Sequence, residues 1–213
     1  MARPNRQKER RSDLIAAARD AVLERGLVDL RLRDVAERAG MSASAVFYYY
    51  PGLNELLEEV AREAIDRFCV HRARVVAGIA DPRRRLVAMI ASGLPDGKDD
   101  ELCRLLYELG TISRRDAVHA ARHIKLFERQ VAIYVGILEA GAATGVYRLA
   151  SDAVTIARNL VVLEDGYGLH AVNAVPAVAR DVAEQQMRGY AALAVGCDLE
   201  AFAVPAEEAA AGE

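Results

Sequence analysis

The sequence has no tryptophan, only three cysteines and no long apolar run, and each shortage excludes a class of protein. Cys69, Cys103 and Cys197 are odd in number and widely spaced, which fits neither a disulfide framework nor a zinc pattern. No stretch approaches the roughly 18–20 apolar residues that a membrane-spanning helix needs. The basic N-terminus also lacks the apolar run of a secretory signal. We therefore expect a cytoplasmic protein without a membrane partner.

Motifs for catalysis and for cofactor binding are missing as well. The chain contains no glycine-rich phosphate loop, no nucleophile elbow and no carboxylate pair in a defined setting, which disfavours an enzyme and predicts no cofactor. His119 and His123 are four residues apart in a predicted helix, with Asp116 one turn earlier, so three potential metal ligands share one face. No second cluster supplies further ligands, and we expect no metal site.

Composition favours a helical protein with a charged asymmetry. Of the 213 residues, 53% are hydrophobic, 28% charged and only 6% aromatic, a balance that can bury a core and that favours helices over strands. Residues 1–50 hold 10 basic and 7 acidic residues, whereas residues 51–213 hold 18 and 24. A positive end on a negative body indicates a polyanionic partner for the first part only.

Apolar periodicity and chain breaks predict an all-α fold of about nine helices without a convincing strand. The first helix runs from Ser12 to Arg25, and two short ones follow in "RDVAERAG" and "ASAVFYYY", the latter with Ser42 as N-cap. Pro51 and Gly52 then break the chain. The later helices are predicted as a long one from residue 53, one from Pro82 to Gly93, and others at 99–113, 116–143, 151–172 with Ser151 as cap, and 176–196. The tail 201–213 is predicted to be disordered.

Residues 32–51 have the pattern of a helix-turn-helix. Such a hairpin needs inward apolar residues, a small residue where the helices cross, and a glycine in the turn. Ala36 lies at the crossing, and Gly40 provides the positive φ of the turn. The inward positions are Val35, Ala39, Met41, Val46 and Tyr49.

The segment "LIAAARDAVLERGLVDLRLRDVAERAGMSASAVFYYYPGLNELLEEV" resembles the tetracycline-repressor (TetR) family of transcriptional regulators. The later segment "ARNLVVLEDGYGLHAV" resembles a helix of the choline-responsive-repressor branch of that family. The resemblance implies a three-helix DNA-binding domain with a basic arm at 1–52 and a larger helical effector-binding and dimerisation domain at 53–200. Two positions depart from the family pattern: Arg31 replaces the usual Thr or Ser cap, and Leu53 replaces a lysine that contacts phosphate.

The resemblance makes "ASAVFYYY" the recognition helix and a double-stranded DNA operator the partner. Phe47 and Tyr48 then point toward the groove, where aromatic rings can contact thymine methyl groups or sugars. Tyr50 is expected to pack against the fourth helix. The residues predicted to contact DNA are Arg6, Arg10, Arg31, Arg33, Ala43, Ser44, Ala45, Phe47, Tyr48 and Tyr49.

For the second domain, the resemblance implies a homodimer that binds a small-molecule effector. Small residues among apolar ones would let two helices approach a partner closely. The predicted dimer interface consists of Leu160, Tyr167, Ala171, Val182, Gly189 and Leu193. The predicted effector pocket consists of Met89, Tyr107, Phe127, Tyr134 and Tyr167, with Glu164, Asp165 and His170 as further polar candidates.

The leading hypothesis is a ligand-responsive dimeric repressor that leaves a palindromic operator when its effector binds; activation instead of repression stays open. Two alternatives also stay open. One is an all-helical interaction or small-molecule-binding protein whose hairpin no longer serves an operator. The other is an enzyme that uses a pocket in the helical bundle.

Overall fold

The computed structural model describes residues 3–202, with side chains from residue 7 onward. Within this range the chain forms nine α-helices and no strand, as predicted. The helices are α1 (Arg3–Arg25), α2 (Leu32–Arg38), α3 (Ala43–Phe47), α4 (Leu53–Ala77), α5 (Pro82–Gly93), α6 (Glu101–Gly110), α7 (Ala117–Ala143), α8 (Ala153–Val172) and α9 (Arg180–Val195). Short 3-10 turns lie at Thr111–Arg114, Pro176–Val178 and Glu200–Phe202.

Side-chain caps explain where several helices begin. Asp81 accepts a hydrogen bond from the Arg83 amide at 2.9 Å and Pro82 follows it, which confirms the predicted start of α5. The cap of α8 was predicted as Ser151, and this is wrong. Asp152 has the extended backbone of a cap, and its carboxylate accepts from the Thr155 amide at 2.9 Å.

Two helices differ in length from the prediction. Helix α1 begins at Arg3 instead of Ser12, because the polar residues between them form a helix without an apolar stripe and Pro4 is tolerated in a first turn. Helix α3 ends at Phe47, and Tyr48 and Tyr49 form a turn after it. The recognition helix is therefore shorter than "ASAVFYYY".

Contacts divide the chain into two compact units. Unit 1 comprises residues 1–67 and 101–124, and unit 2 comprises residues 68–100 and 125–213. Helices α4 and α7 contribute residues to both. This division follows packing and does not coincide with the functional boundary at residue 52, which stays a prediction.

The core of unit 1 surrounds the hairpin. Leu14 and Ala18 of α1, Val35 of α2, Val46 of α3 and Leu56 of α4 are completely buried, and α6 adds Leu105 and Leu109. Helix α1 packs on α2 and on α6. The hairpin thus shares one apolar core with residues of α1, α4 and α6.

Unit 2 has its own apolar core, built by α5, α7, α8 and α9 with the end of α4. Its fully buried residues include Met89, Ile90, Tyr134, Leu138 and Leu160. None of the described helices is both long enough and apolar enough to cross a membrane. Of the tail predicted to be disordered, residues 201 and 202 belong to a 3-10 turn, and residues 203–213 lie outside the described part.

Candidate nucleic-acid interface and ligand-binding unit

The helix-turn-helix core matches the sequence prediction position by position. Val35 and Val46 have no exposed surface and Ala36 is 2% exposed, while Ala39, Met41 and Tyr49 are partly buried against the same core. Gly40 has a φ of +63°, a conformation that side chains with a Cβ rarely adopt. The Met41 amide donates to the Ala36 carbonyl at 2.9 Å, which closes the turn.

Arg31, the unusual residue before α2, is compensated by a residue three positions later. An arginine side chain has no acceptor atom, so it cannot cap the free amides of a helix. Instead the Asp34 carboxylate accepts from the Arg31 amide at 2.8 Å, which is the reciprocal half of a capping box. Helix α2 therefore keeps one of the two hydrogen bonds of a capping box.

Helix α3 presents a mostly apolar outer surface. Ser42 caps it by accepting from the Ala45 amide at 3.2 Å, and its hydroxyl also lies 3.0 Å from that of Ser44. Phe47 is 55% exposed and Tyr48 is 76% exposed. Exposing two large aromatic side chains to water is unfavourable in free energy. Exposed apolar surface of this kind is typical of a binding site.

The three consecutive tyrosines occupy three different environments. Tyr48 is exposed and meets the half-buried Tyr49 ring edge to face at 5.2 Å. Tyr50 is only 2% exposed, as predicted, and Arg11 lies 4.6 Å from its ring centroid. Among the described residues the buried Tyr50 hydroxyl has no partner at hydrogen-bond geometry, and burial raises its pKa while the charge of Arg11 opposes that shift.

The arginines predicted to contact DNA lie on the surface of unit 1. Arg31 is exposed, and Arg33 is 70% exposed with a loose 3.9 Å contact to Asp34. Arg10 is exposed and lies 3.7 Å from Asp13. The side chain of Arg6 lies outside the described residues. Exposed cations beside an aromatic surface are the groups that phosphate backbones bind.

The histidine pair does not form a cluster. His119 is 2% exposed and His123 is exposed, so the two differ in environment. Asp116 accepts from the backbone amides of Val118 and His119, and from the Asn54 side chain, which lowers its pKa. Its carboxylate is thus used as a helix cap.

The structure brings four of the five predicted effector residues into one unit. Met89 and Tyr134 are fully buried in unit 2, and Phe127 and Tyr167 pack against the same core. Tyr107 lies in α6 and belongs to unit 1. Of the further polar candidates, Glu164 is buried while Asp165 and His170 are exposed.

A buried ion pair at the centre of unit 2 was not predicted. Arg72 has no exposed surface, and its Nη2 and Nη1 atoms donate to Glu164 at 2.6 and 2.9 Å. Arg72 also donates to the Gln130 side chain and to the Met89 carbonyl, the latter at 3.0 Å. The Tyr134 hydroxyl donates to Glu164. We call these five residues the Arg72 cluster.

Burial controls the acid–base behaviour of the cluster. It raises the pKa of Tyr134 well above its usual value, with the Glu164 charge acting in the same direction. It also raises the pKa of Glu164, while Arg72 opposes that shift. The sequence carried one signal for the pair: Arg72 lies on the α4 stripe of Phe68 and Val76, and Glu164 on the apolar stripe of α8.

On the outer face of α8 and α9, apolar side chains are exposed to solvent. Val162 is 60% exposed and Leu193 is 81% exposed. Leu163, Tyr167, Gly189, Tyr190 and Leu193 line a shallow groove there together with Gln185, Gln186 and Glu200.

The other residues predicted for the dimer interface differ in exposure. Val182 is half-buried and Gly189 is exposed. Leu160 is completely buried in the core of unit 2 and Ala171 is 7% exposed, so neither lies on the outer face of α8.

Comparison with protein families finds two matches along the chain. Residues 14–60 match the family described as "Bacterial regulatory proteins, tetR family". Residues 82–196, more than half of the chain, match the family described as "BetI-type transcriptional repressor, C-terminal".

Curated relatives match over shorter or more distant stretches. The HTH-type transcriptional regulator BetI of Burkholderia ambifaria is 36% identical over 88 residues, which cover 41% of this chain and 45% of that protein. The chain thus spans about half the length of the BetI relatives that it matches. The HTH-type transcriptional repressor KstR2 of Mycolicibacterium smegmatis is 21% identical over 160 residues, 73% of this chain and 76% of that protein.

Solved structures share the fold over most of the chain. A transcriptional regulator from Saccharomonospora viridis, crystallised in complex with choline, has a TM-score of 0.79 at 23% identity and covers 86% of this chain and 95% of its own. A TetR transcription regulator from Haloarcula marismortui has the same TM-score and identity, covering 88% and 99%.

Proposed function

Because this chain belongs to the TetR family of bacterial regulatory proteins, we propose that it is a dimeric, ligand-responsive repressor that binds a palindromic DNA operator. The observation that carries the proposal is the exposed aromatic end of α3. Phe47 and Tyr48 are exposed on a hairpin whose inner residues pack against the core of unit 1, and Arg31 and Arg33 are exposed on the same hairpin. A surface of this kind suits the floor and walls of a DNA groove.

Operator recognition would combine two kinds of contact. The arginines, with Arg6 and Arg10 of α1, would hold phosphates and supply affinity without sequence preference. Ala43, Ser44 and Ala45 would lie closest to the base edges, and Phe47 and Tyr48 would contact thymine methyl groups and sugars. Tyr49 would act from the half-buried side by holding the Tyr48 ring in place.

One α3 reads too few base pairs to select an operator, so the proposal includes a homodimer. Its interface would be the outer face of α8 and α9, where Val162, Gly189 and Leu193 are exposed. Burying these side chains against their symmetry copies removes apolar area from water, which favours association.

The effector would be a small molecule that acts through unit 2. The structurally similar regulator from Saccharomonospora viridis, which was crystallised with choline, supports a small-molecule effector. To release the operator, the ligand must prefer the conformation that does not bind DNA. A hundredfold preference corresponds to about 2.7 kcal/mol, which is enough to empty a site held with moderate occupancy.

Selection of bound duplexes from random DNA tests the operator proposal. We expect enrichment of an inverted repeat, because a twofold dimer presents two identical reading surfaces. Binding of the selected duplex should weaken steeply with salt, since several arginines release counterions. No enriched sequence, or equal binding of selected and scrambled duplexes, would contradict the proposal.

A further inference from the structure

Every group that surrounds the Arg72 guanidinium favours a positive charge. Glu164 supplies a carboxylate, Gln130 an amide oxygen and Met89 a backbone carbonyl. The Tyr134 hydroxyl directs its proton to Glu164 and its lone pairs toward Arg72 Nη2 at 3.5 Å. The pocket therefore presents acceptors to both terminal nitrogens of the buried cation, whereas Arg72 Nε is buried with no hydrogen-bond partner among the described residues.

Two aromatic faces complete the surroundings. The guanidinium carbon of Arg72 lies 5.4 Å from the Phe68 ring centroid and 5.5 Å from that of Tyr134. Aromatic faces attract cations within about 6 Å, and more strongly where water is excluded. A carboxylate flanked by aromatic faces is the combination by which proteins hold small organic cations.

The cluster is closely packed on the side of Gly93. A Cβ on Gly93 would overlap the Glu164 carboxylate and lie 2.7 Å from Arg72 Nη2. The ion pair therefore occupies space that a side chain at residue 93 would need. Arginine does not lose its proton in proteins, so the place is held by a permanent cation.

We propose that the Arg72 cluster is a binding site for a small organic cation that the chain fills with its own Arg72 side chain. Arg72 thereby acts as a specificity determinant, since with it in place the cluster offers no room to a free organic cation. Shortening this side chain should convert the cluster into a receptor for guanidinium compounds. The inference concerns unit 2 alone and does not depend on whether the chain binds DNA.

Arg72→Ala tests the proposal with a probe that replaces the missing atoms. Alanine keeps Cβ, so N-ethylguanidinium restores the lost part of the side chain, and N-ethylurea is its neutral analogue of almost the same shape. Arg72→Ala should melt below the unchanged protein. At about ten times its dissociation constant, N-ethylguanidinium should then raise the melting temperature of the variant by roughly 3–6 °C.

Two controls test whether the site opened in Arg72→Ala selects a cation and whether it does so through Glu164. N-ethylurea should leave the melting temperature of Arg72→Ala unchanged, and N-ethylguanidinium should leave that of the unchanged protein unchanged. In Arg72→Ala combined with Glu164→Gln, the affinity for N-ethylguanidinium should fall at least tenfold, because the carboxylate is gone. An equal response of Arg72→Ala to the cation and to the urea would overturn the proposal, and so would an undiminished response to the cation in the double variant.

A second measurement applies if Arg72→Ala does not fold unaided. The Arg72→Ala and Glu164→Gln double variant should then fold, because no lone carboxylate stays buried. The single variant, diluted from urea, should recover its folded state with N-ethylguanidinium and not with N-ethylurea. Failure of the double variant to fold, or equal recovery with both additives, would refute the assignment.

Discussion

Replacing Tyr48 and Tyr50 separately by alanine should separate DNA binding from folding, although the two residues are only two positions apart. Tyr48 is 76% exposed and Tyr50 is 2% exposed. Removing an exposed side chain usually changes the free energy of unfolding by less than about 0.5 kcal/mol. Removing a buried aromatic costs about 3–5 kcal/mol, because apolar burial is lost and a cavity remains.

For operator binding we expect the opposite order, with a larger direct loss in Tyr48→Ala than in Tyr50→Ala. Tyr48→Ala should weaken binding by about 1–3 kcal/mol, which is roughly 5- to 150-fold in the dissociation constant. Tyr50→Phe provides a matched control for the buried position. The Tyr50 hydroxyl has no hydrogen-bond partner in the part of the chain that the structure describes, so its removal should leave the free energy of unfolding unchanged or raise it by about 1 kcal/mol.

Urea unfolding followed by circular dichroism gives the stabilities, and fluorescence anisotropy with the selected operator gives the affinities. Both are measured at one salt concentration, since DNA binding varies with salt. Unchanged operator affinity in Tyr48→Ala would refute the placement of the reading surface on α3. A loss of stability in Tyr48→Ala as large as in Tyr50→Ala would refute the assignment of the two environments.

Three further predictions concern other parts of the chain. Gly93→Ala should lower the free energy of unfolding, measured in urea, by about 1–3 kcal/mol, because its Cβ would overlap the buried ion pair. Gly136→Ala, which has open space around it, should raise the free energy of unfolding by about 0.5–1 kcal/mol. Equal effects of the two substitutions would contradict this prediction. The pKa of Asp152 lies below the ordinary value of 3.8 because it accepts hydrogen bonds at the start of α8, so its stabilisation is present above pH 3.8 and lost as the pH falls through the folded value. Asp152→Asn keeps a cap that does not titrate, so its stability should fall less than that of the unchanged protein as the pH is lowered from 3.8 through the folded pKa of Asp152, and identical acid profiles would argue against the cap. Leu193→Glu should raise the dissociation constant of the proposed dimer at least about tenfold in sedimentation equilibrium, because it would bury a charge in the interface. Val28→Glu changes a residue of unit 1 that is also exposed, and it should have no effect on the dimer. Dissociation of the dimer by both substitutions would point to another interface.

The hairpin could be predicted from sequence because its determinants are local. Gly40, Ala36 and the inward apolar residues lie within twenty residues of each other, and each has a steric reason to be where it is. The helix ends were less predictable. Ser151 and Asp152 are both good caps, and only the backbone conformation decides which of them accepts from the first free amides.

The Arg72 cluster could not be assembled from the sequence, because its residues are brought together by tertiary packing. Arg72 and Glu164 are 92 residues apart, and Arg72 and Gln130 are 58 apart. The apolar periodicity of α4 and α8 puts Arg72 and Glu164 on apolar stripes, but it does not identify the residue that each of them contacts. A charged residue on such a stripe is the signal to look for, because a buried charge needs an opposite charge or several hydrogen bonds.

The small side chains at the start of α3 have a consequence for how this regulator changes over evolutionary time. Ala43 and Ser44 are exposed and take no part in the core, while the capping of α3 depends on Ser42 alone. In the proposed operator complex, a longer polar residue at either position would reach a base edge at no cost in packing. Copies of the gene could therefore acquire different target sites through single substitutions, and the fold would not resist that divergence.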